Sequence, residues 1–244
     1  MKRLFISLAI LAGISLSSCN DSFLEKTPVT DLTENNAFNS YDNFKAFMWP
    51  CYEMFTNNTI RTSLQGFGQD GQYKGDMAAG YFQQKYESGY NEFAYQTVAS
   101  VASGNGWDFK SFIRRVNIML SHIDNSSMTE AQKDHWRAVG YFFHSFWYME
   151  LIDRFGDVPW VDQVLQEDSP EAYGPRVDRK TVADKVLERL QWAEQNIGNF
   201  TSQDGDNTIN QDCVRAVISR FGLREGTWRK YHELGDAEKY LQEC

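Results

Sequence analysis

Between residues 67 and 107 the chain mixes aromatic rings with planar polar groups: Asp70, Tyr73, Lys74, Asp76, Tyr81, Tyr86, Tyr90, Asn105 and Trp107. A sugar ring offers a face of slightly positive C–H groups that packs on the negative face of an aromatic ring, while its hydroxyls need planar polar partners. Trp107, Asn105, Asp70 and Tyr73 are therefore the candidate glycan-binding residues. A plainer reading stands beside this one: Trp107 as a helix-start residue packed into the core, and Asp70 and Tyr73 as solvated loop. Other chemistry fits less well. Gly66-Phe67-Gly68-Gln69-Asp70-Gly71 matches G-x-G-x-x-G, yet Ile60 to Gln65 is too polar for the buried strand that a dinucleotide site requires, and Gln72 to Gly75 opens no helix. Asp204-x-Asp206 hints at a calcium loop, but Ile209 stands where an EF-hand needs Gly and Arg215 where it needs Glu, so a turn is expected. His122, His135, His144 and His232 have no metal-binding spacing, and neither a metal nor another cofactor is expected. Among 33 acidic residues nothing singles out a hydrolytic carboxylate pair.

The N-terminus governs where this chemistry would operate. Lys2 and Arg3 precede a thirteen-residue apolar run, Leu4 to Leu16, followed by Ser17, Ser18 and Cys19. So short a run cannot cross about 30 Å of hydrocarbon as a helix, and it reads as a removable signal peptide, residues 1–18. The Leu-Ser-Ser-Cys ending resembles a bacterial lipobox, at which signal peptidase II cuts and Cys19 becomes lipidated. The alternative is an ordinary secretory signal ending at a chance cysteine. Several acyl chains, at about 0.8 kcal/mol per buried methylene, would hold a soluble domain at a membrane.

Cleavage would leave 226 of the 244 residues, having removed two of 24 cations and none of 33 anions, for a net charge of −11. Such a chain repels phosphate backbones, which argues against nucleic acid as a partner. Cys51, Cys213 and Cys244 fit no zinc spacing; three thiols cannot all pair within one chain, although one disulfide is possible.

The elements that must position any site read as helices. Residues 19–35 form a polar tether. A helix runs from Ser40, a plausible N-cap, to about Phe55, interrupted by Pro50. Residues 56–106 form a long irregular region. Beyond it, steps of three and four place Phe109, Ile113, Val116 and Leu120 on one face between Trp107 and Ile123. Thr129 and Gln132 form a capping box opening an aromatic helix through Trp136, Phe143, Trp147 and Leu151, which ends before Gly156 and Pro159. Its run Tyr141, Phe142, Phe143, Phe146, Trp147 and Tyr148 is expected in the core. Asp178 and Asn210 cap two further helices, the first stopped by Gly198, and a last helix begins near Gly235 or Asp236. Arg229, Lys230 and His232 are expected on a solvated or helix-packing face. The fold class is mainly α: paired helices at thirty- to forty-residue spacing, the pattern of tetratricopeptide-like hairpins. The pattern stops without a polar cap on the final helix, so the chain reads as part of a larger protein.

Four segments carry a family resemblance. Cys19-Asn20-Asp21-Ser22-Phe23-Leu24-Glu25 with Pro28 looks like the mature start of SusD/RagB-type lipoproteins, and Arg154-Phe155-Gly156-Asp157-Val158-Pro159 resembles that family's most recognisable segment. Arg176 to Asn196, and Arg224 to His232, agree in order and spacing. Trp136-Arg137-Ala138 is only a partial match to the acidic-Ala-Arg pattern usual there, and family members are much longer. The resemblance implies residues 36–244 as the N-terminal helical part of a SusD-like, non-enzymatic surface lipoprotein of the outer membrane. Its implied partners are a glycan, or in some members a peptide, and a SusC-like TonB-dependent porin that imports it. The alternative is a helical scaffold that binds only protein.

Overall fold

The first helix, α1 (Tyr41–Met48), starts where expected: the Ser40 hydroxyl accepts a hydrogen bond from Asn43 N. It stops two residues before Pro50, and the chain continues as a 3₁₀ turn, Trp49–Phe55. The structure, a computed structural model, describes residues 37–55 and 110–244. The second helix, α2 (Lys110–His122), buries Ile113, Val116 and Met119, and the expected start at Trp107 lies outside the described residues.

The central element is α3 (Glu130–Phe155), 26 residues long. Its capping box forms as read: Gln132 N donates to Thr129 Oγ1 at 3.3 Å, and Thr129 N donates to Gln132 Oε1 at 3.0 Å. Phe142, Phe143, Phe146, Trp147 and Tyr148 are buried, each such side chain contributing about 1.5–3 kcal/mol. Gly140 admits α2, since a Cβ there would stand 2.6 Å from Met119 Cε. Gly156 ends the helix at φ +67°, a conformation costly for any residue with a Cβ. Val158 then pairs with Val177, and Asp157 Oδ1 accepts from Arg179 N, which closes the turn into α4 (Arg179–Asn196). Tyr148 Oη donates to the Pro159 carbonyl and accepts from Val161 N, while His144 Nε2 donates to the Val161 carbonyl, so residues 159–161 are fastened to α3.

Asp178 caps α4 through Thr181 N, and the helix ends two residues before Gly198. Helices α3 and α4 form an antiparallel hairpin: His135, near the start of α3, faces the Gly198 carbonyl beyond the end of α4, whereas Asp153 faces Arg179 at the start of α4. The stretch 203–208, read as turn, contains the end of a one-turn helix, α5 (Thr201–Asp204). Asn210 caps α6 (Gln211–Tyr231), which runs antiparallel to α4, as the pairs Arg179–Glu225 and Arg215–Glu194 show. The final helix, α7 (Ala237–Leu241), lies on Gly222 and Gly226: a Cβ at Gly222 would stand 2.5 Å from the Tyr240 carbonyl oxygen, and one at Gly226 2.7 Å from Leu241. The described residues are thus mainly helical, stacked as successive hairpins. Cys51, Cys213 and Cys244 are free thiols, and burial pushes the Cys51 pKa up to about 12.

Candidate functional site

Asp70, Tyr73, Asn105 and Trp107, with the lipidation residue Cys19, lie outside the described residues. What the described residues bring together is a groove of about 560 Å³ between the 3₁₀ turn, α3 and the start of α6. Its apolar wall is Tyr52, Phe55, Phe142 and Phe146; its polar edge includes Asn207, Asn210 and Arg220. Each ring is set by packing. Tyr52 meets Phe143 edge-on at 5.1 Å, Phe55 meets Phe146 edge-on at 5.6 Å, and half-exposed Trp49 lies 5.2 Å from Tyr52. Tyr52 Oη accepts from Ile209 N at 3.1 Å, which ties the 3₁₀ turn to the loop before α6. Burial pushes the Tyr52 pKa up to about 12, so its phenol is neutral at physiological pH. Rings beside amides and a guanidinium make a surface suited to stacking against and hydrogen bonding a polyhydroxylated chain.

Asp204 fixes the loop that edges this groove. Its side chain is only 5% exposed, although it sits in a polar stretch expected to be a turn. Tyr41 Oη donates to Asp204 Oδ2 at 2.5 Å, His135 Nε2 stands 3.4 Å from the same oxygen, and Lys45 Nζ lies 3.5 Å from Oδ1. Burial, reinforced by the bond to Asp204, pushes the Tyr41 pKa far up, so the phenol remains a donor. For His135 burial pushes the pKa down against the pull of Asp204 and the Gly198 carbonyl. One carboxylate therefore joins α1, α3 and the α5–α6 connection. Sequence reasoning missed it because its partners are 69 and 163 positions away, the only local signal being an acid beside Gly205.

A second hub decides between the two readings of Arg229 in favour of helix packing. Its side chain is fully buried, with Nε on Glu225 Oε1 at 2.8 Å, Nη1 on Asp236 Oδ2 at 2.8 Å and Nη2 on Tyr240 Oη at 3.0 Å. Glu225 also receives Arg179 Nη1 at 2.8 Å. Lys230 and His232 are exposed, and the His232 ring lies tilted against Trp228 at 3.9 Å. The other histidines have packing roles: His122 stacks on Phe38, and His144 is buried against Tyr148 and Trp160.

An antiparallel stack of capped helical hairpins, with an aromatic groove at one edge, defines the class as a tetratricopeptide-like helical protein. A family model described as SusD-like, "Starch-binding associating with outer membrane", matches residues 22–223, and the chain belongs to that family. The fold is similar to a SusD-like protein from Bacteroides fragilis, with TM-score 0.59 and 18% identity over 89% of this chain and 40% of that one. It is similar also to a SusD-like carbohydrate binding protein from Bacteroides vulgatus, with TM-score 0.58 and 17% identity over 83% of this chain and 44% of that one. A laminarin binding SusD-like protein aligns over 47% of this chain, with TM-score 0.42 and 21% identity. The chain thus spans less than half the length of these structures. No curated protein matches it.

Proposed function

We propose that this chain is the N-terminal helical portion of a cell-surface glycan-binding lipoprotein, held at the outer membrane through Cys19, which captures oligosaccharides and passes them to a TonB-dependent porin. The observation that carries this reading is the family match over residues 22–223, supported by a hairpin fold shared with SusD-like structures across most of the chain. Cys19, three residues before the matched segment, supports the anchor, because the apolar run before it is too short to span a bilayer. The proposed contacts are Trp107 and Tyr73 for stacking, and Asn105 and Asp70 for hydroxyl groups. The Tyr52–Phe55 groove supplies further ring surface along the same chemistry. Capture of this kind needs no bond-making residue, and the protein acts by binding, not catalysis.

Calorimetric titration of the mature chain with a panel of soluble polysaccharides and their oligosaccharides tests the reading. Heat with at least one glycan is expected, reduced about five- to 150-fold in affinity by Trp107→Ala if stacking on one aromatic ring carries about 1–3 kcal/mol, as it does for a nucleobase. Silence across the panel, with the porin still co-purifying, would replace capture by a purely scaffolding role. Release of reducing ends would replace it by hydrolysis.

A further inference from the structure

Residues 198–205, which include α5, form a strap across the starts of α1 and α3. Glycine bounds it on both sides: Gly205 adopts φ +85°, and a Cβ on Gly198 would stand 2.5 Å from the Phe200 ring. Its backbone bonds stay inside it, with Gln203 N and Asp204 N donating to the Phe200 carbonyl and Gly205 N to that of Thr201. Among the described residues, the hydrogen bonds and ion pairs that fasten it to the helices come from three side chains. Tyr41 Oη donates to Asp204 Oδ2 at 2.5 Å. Lys45 Nζ donates to the Gln203 carbonyl at 2.7 Å and lies 3.5 Å from Asp204 Oδ1. His135 reaches the Gly198 carbonyl through Nδ1 at 3.1 Å.

Histidine is the one side-chain type among these three whose ordinary pKa lies near neutrality, at about 6.5. The His135 ring is 3% exposed, enclosed by Phe200 at 4.7 Å, Trp136 at 5.5 Å and Tyr41 at 5.9 Å. The titratable and charged groups around it are Tyr41 and Lys45 from α1, Tyr52 from the 3₁₀ turn, Asp204 from α5, Asp212 from α6 and Asp134 beside it on α3. Their charges are already matched. Lys45 faces Asp204, Arg215 lies 3.8 Å from the exposed Asp212, Arg137 holds Asp134 at 2.9 Å, and both phenols stay neutral. The neutral ring satisfies Gly198 through Nδ1–H. A second ring proton would be a surplus cation shut among aromatic rings, and its one new acceptor, Asp204 Oδ2 at 3.4 Å, already holds the Tyr41 hydroxyl. Burial pushes the His135 pKa down in keeping with that count. Away from the helices the same ring meets water and takes the proton freely.

We propose that this strap is a proton-operated catch: acid releases residues 198–205 from α1 and α3 through His135. Thr208, Ile209 and Asn210, a few residues further along, wall the aromatic groove, so release slackens the polar edge of that groove. The effect on a glycan held there rests on the capturing reading above; the catch itself does not. A proton bound only by the released form pulls the balance toward that form, by up to about eightfold between pH 7.0 and 5.5.

The test is amide hydrogen exchange of the full mature chain at those two pH values, each rate divided by the intrinsic chemical rate at the same pH. Opening at the Gln203, Asp204 and Gly205 amides should rise about five- to eightfold in acid. His135→Gln, whose side-chain amide can still donate to the Gly198 carbonyl, should flatten that response. Lys45→Met leaves the Asp204 charge free to balance an imidazolium. It should therefore loosen the strap at pH 7.0 yet shrink the acid response by about twofold or more, the scale of one partly exposed charge pair. A response retained in His135→Gln, slower opening in acid, or an unchanged ratio in Lys45→Met would each overturn the catch. Should His135→Gln fail to fold, Lys45→Met decides. No glycan enters the measurement, so its outcome is separate from that of the capture titration.

Discussion

Replacing Arg229 by Met should destabilise the chain by about 2–3 kcal/mol. The estimate follows from the network around it. Breaking a buried ion pair by removing one partner costs about 3–5 kcal/mol, because the other charge is left uncompensated. Glu225, 1% exposed, is the charge at risk, but it keeps Arg179 Nη1 at 2.8 Å, which lowers the cost. Asp236 and Asp184 are 35% and 39% exposed and regain water when Arg229 is lost, so they add little. Met replaces much of the aliphatic volume and avoids a large cavity. For a domain of this size about 2–4 °C of melting temperature accompanies each kcal/mol, so thermal denaturation followed by circular dichroism should show a fall of about 5–10 °C. Glu225→Gln combined with Arg229→Met should cost less than the two single changes added, since the stranded charge is then gone. A midpoint that moves by less than about 2 °C in Arg229→Met would refute the idea that this hub, and not apolar packing alone, fastens α7 to α6.

Two other expectations follow from the packing. Gly222→Ala drives a Cβ to 2.5 Å from the Tyr240 carbonyl oxygen, a backbone atom that must move, and should cost about 1–3 kcal/mol in denaturant unfolding; Leu223→Ala beside it, on a side chain 55% exposed, should cost far less. His144 should make stability fall with acid. Burial, and then the Arg189 charge, hold its pKa well below the ordinary histidine range, with Nε2–H donating to Val161. Below about pH 6.5 the unfolded chain takes up a proton that the folded chain refuses, so stability drops by up to about 1.4 kcal/mol per pH unit. His144→Gln should flatten that slope between pH 6.5 and 5 by about one proton, and an unchanged slope would contradict the assignment.

The local signals in the chain were read correctly where their cause is local. Ser40, Thr129, Asp178 and Asn210 each accept the hydrogen bond expected of a helix cap, because a cap needs only the three residues after it. The aromatic run of α3 is buried for a similar reason: its apolar residues are too dense for either face to remain in water. For Arg229 a solvated and a helix-packing face were both open, and its charge could not choose between them, because the acids that draw it inward are Glu225, Asp236 and Asp184, of which Asp184 is 45 positions away. Asp204 shows the same blind spot. In the candidate groove, the Tyr52–Phe55 rings looked like ordinary helix residues, and only the packing of Ile209 and Asn210 beside them makes a groove.

The bond between Tyr41 and Asp204 joins groups 163 positions apart, the longest span among the contacts that fix α1. Synthesis at about 5–20 residues per second leaves the first helix waiting roughly 10–30 s for its carboxylate to be made. Closing so large a loop is also entropically late, since only the finished hairpins hold Asp204 in place to receive it. Among the described helices α1 is therefore the first to be translated and the last to complete its contacts: α2 reaches it early, with Arg115 Nη1 on the Phe47 carbonyl, but the Tyr41 hydroxyl waits for Asp204.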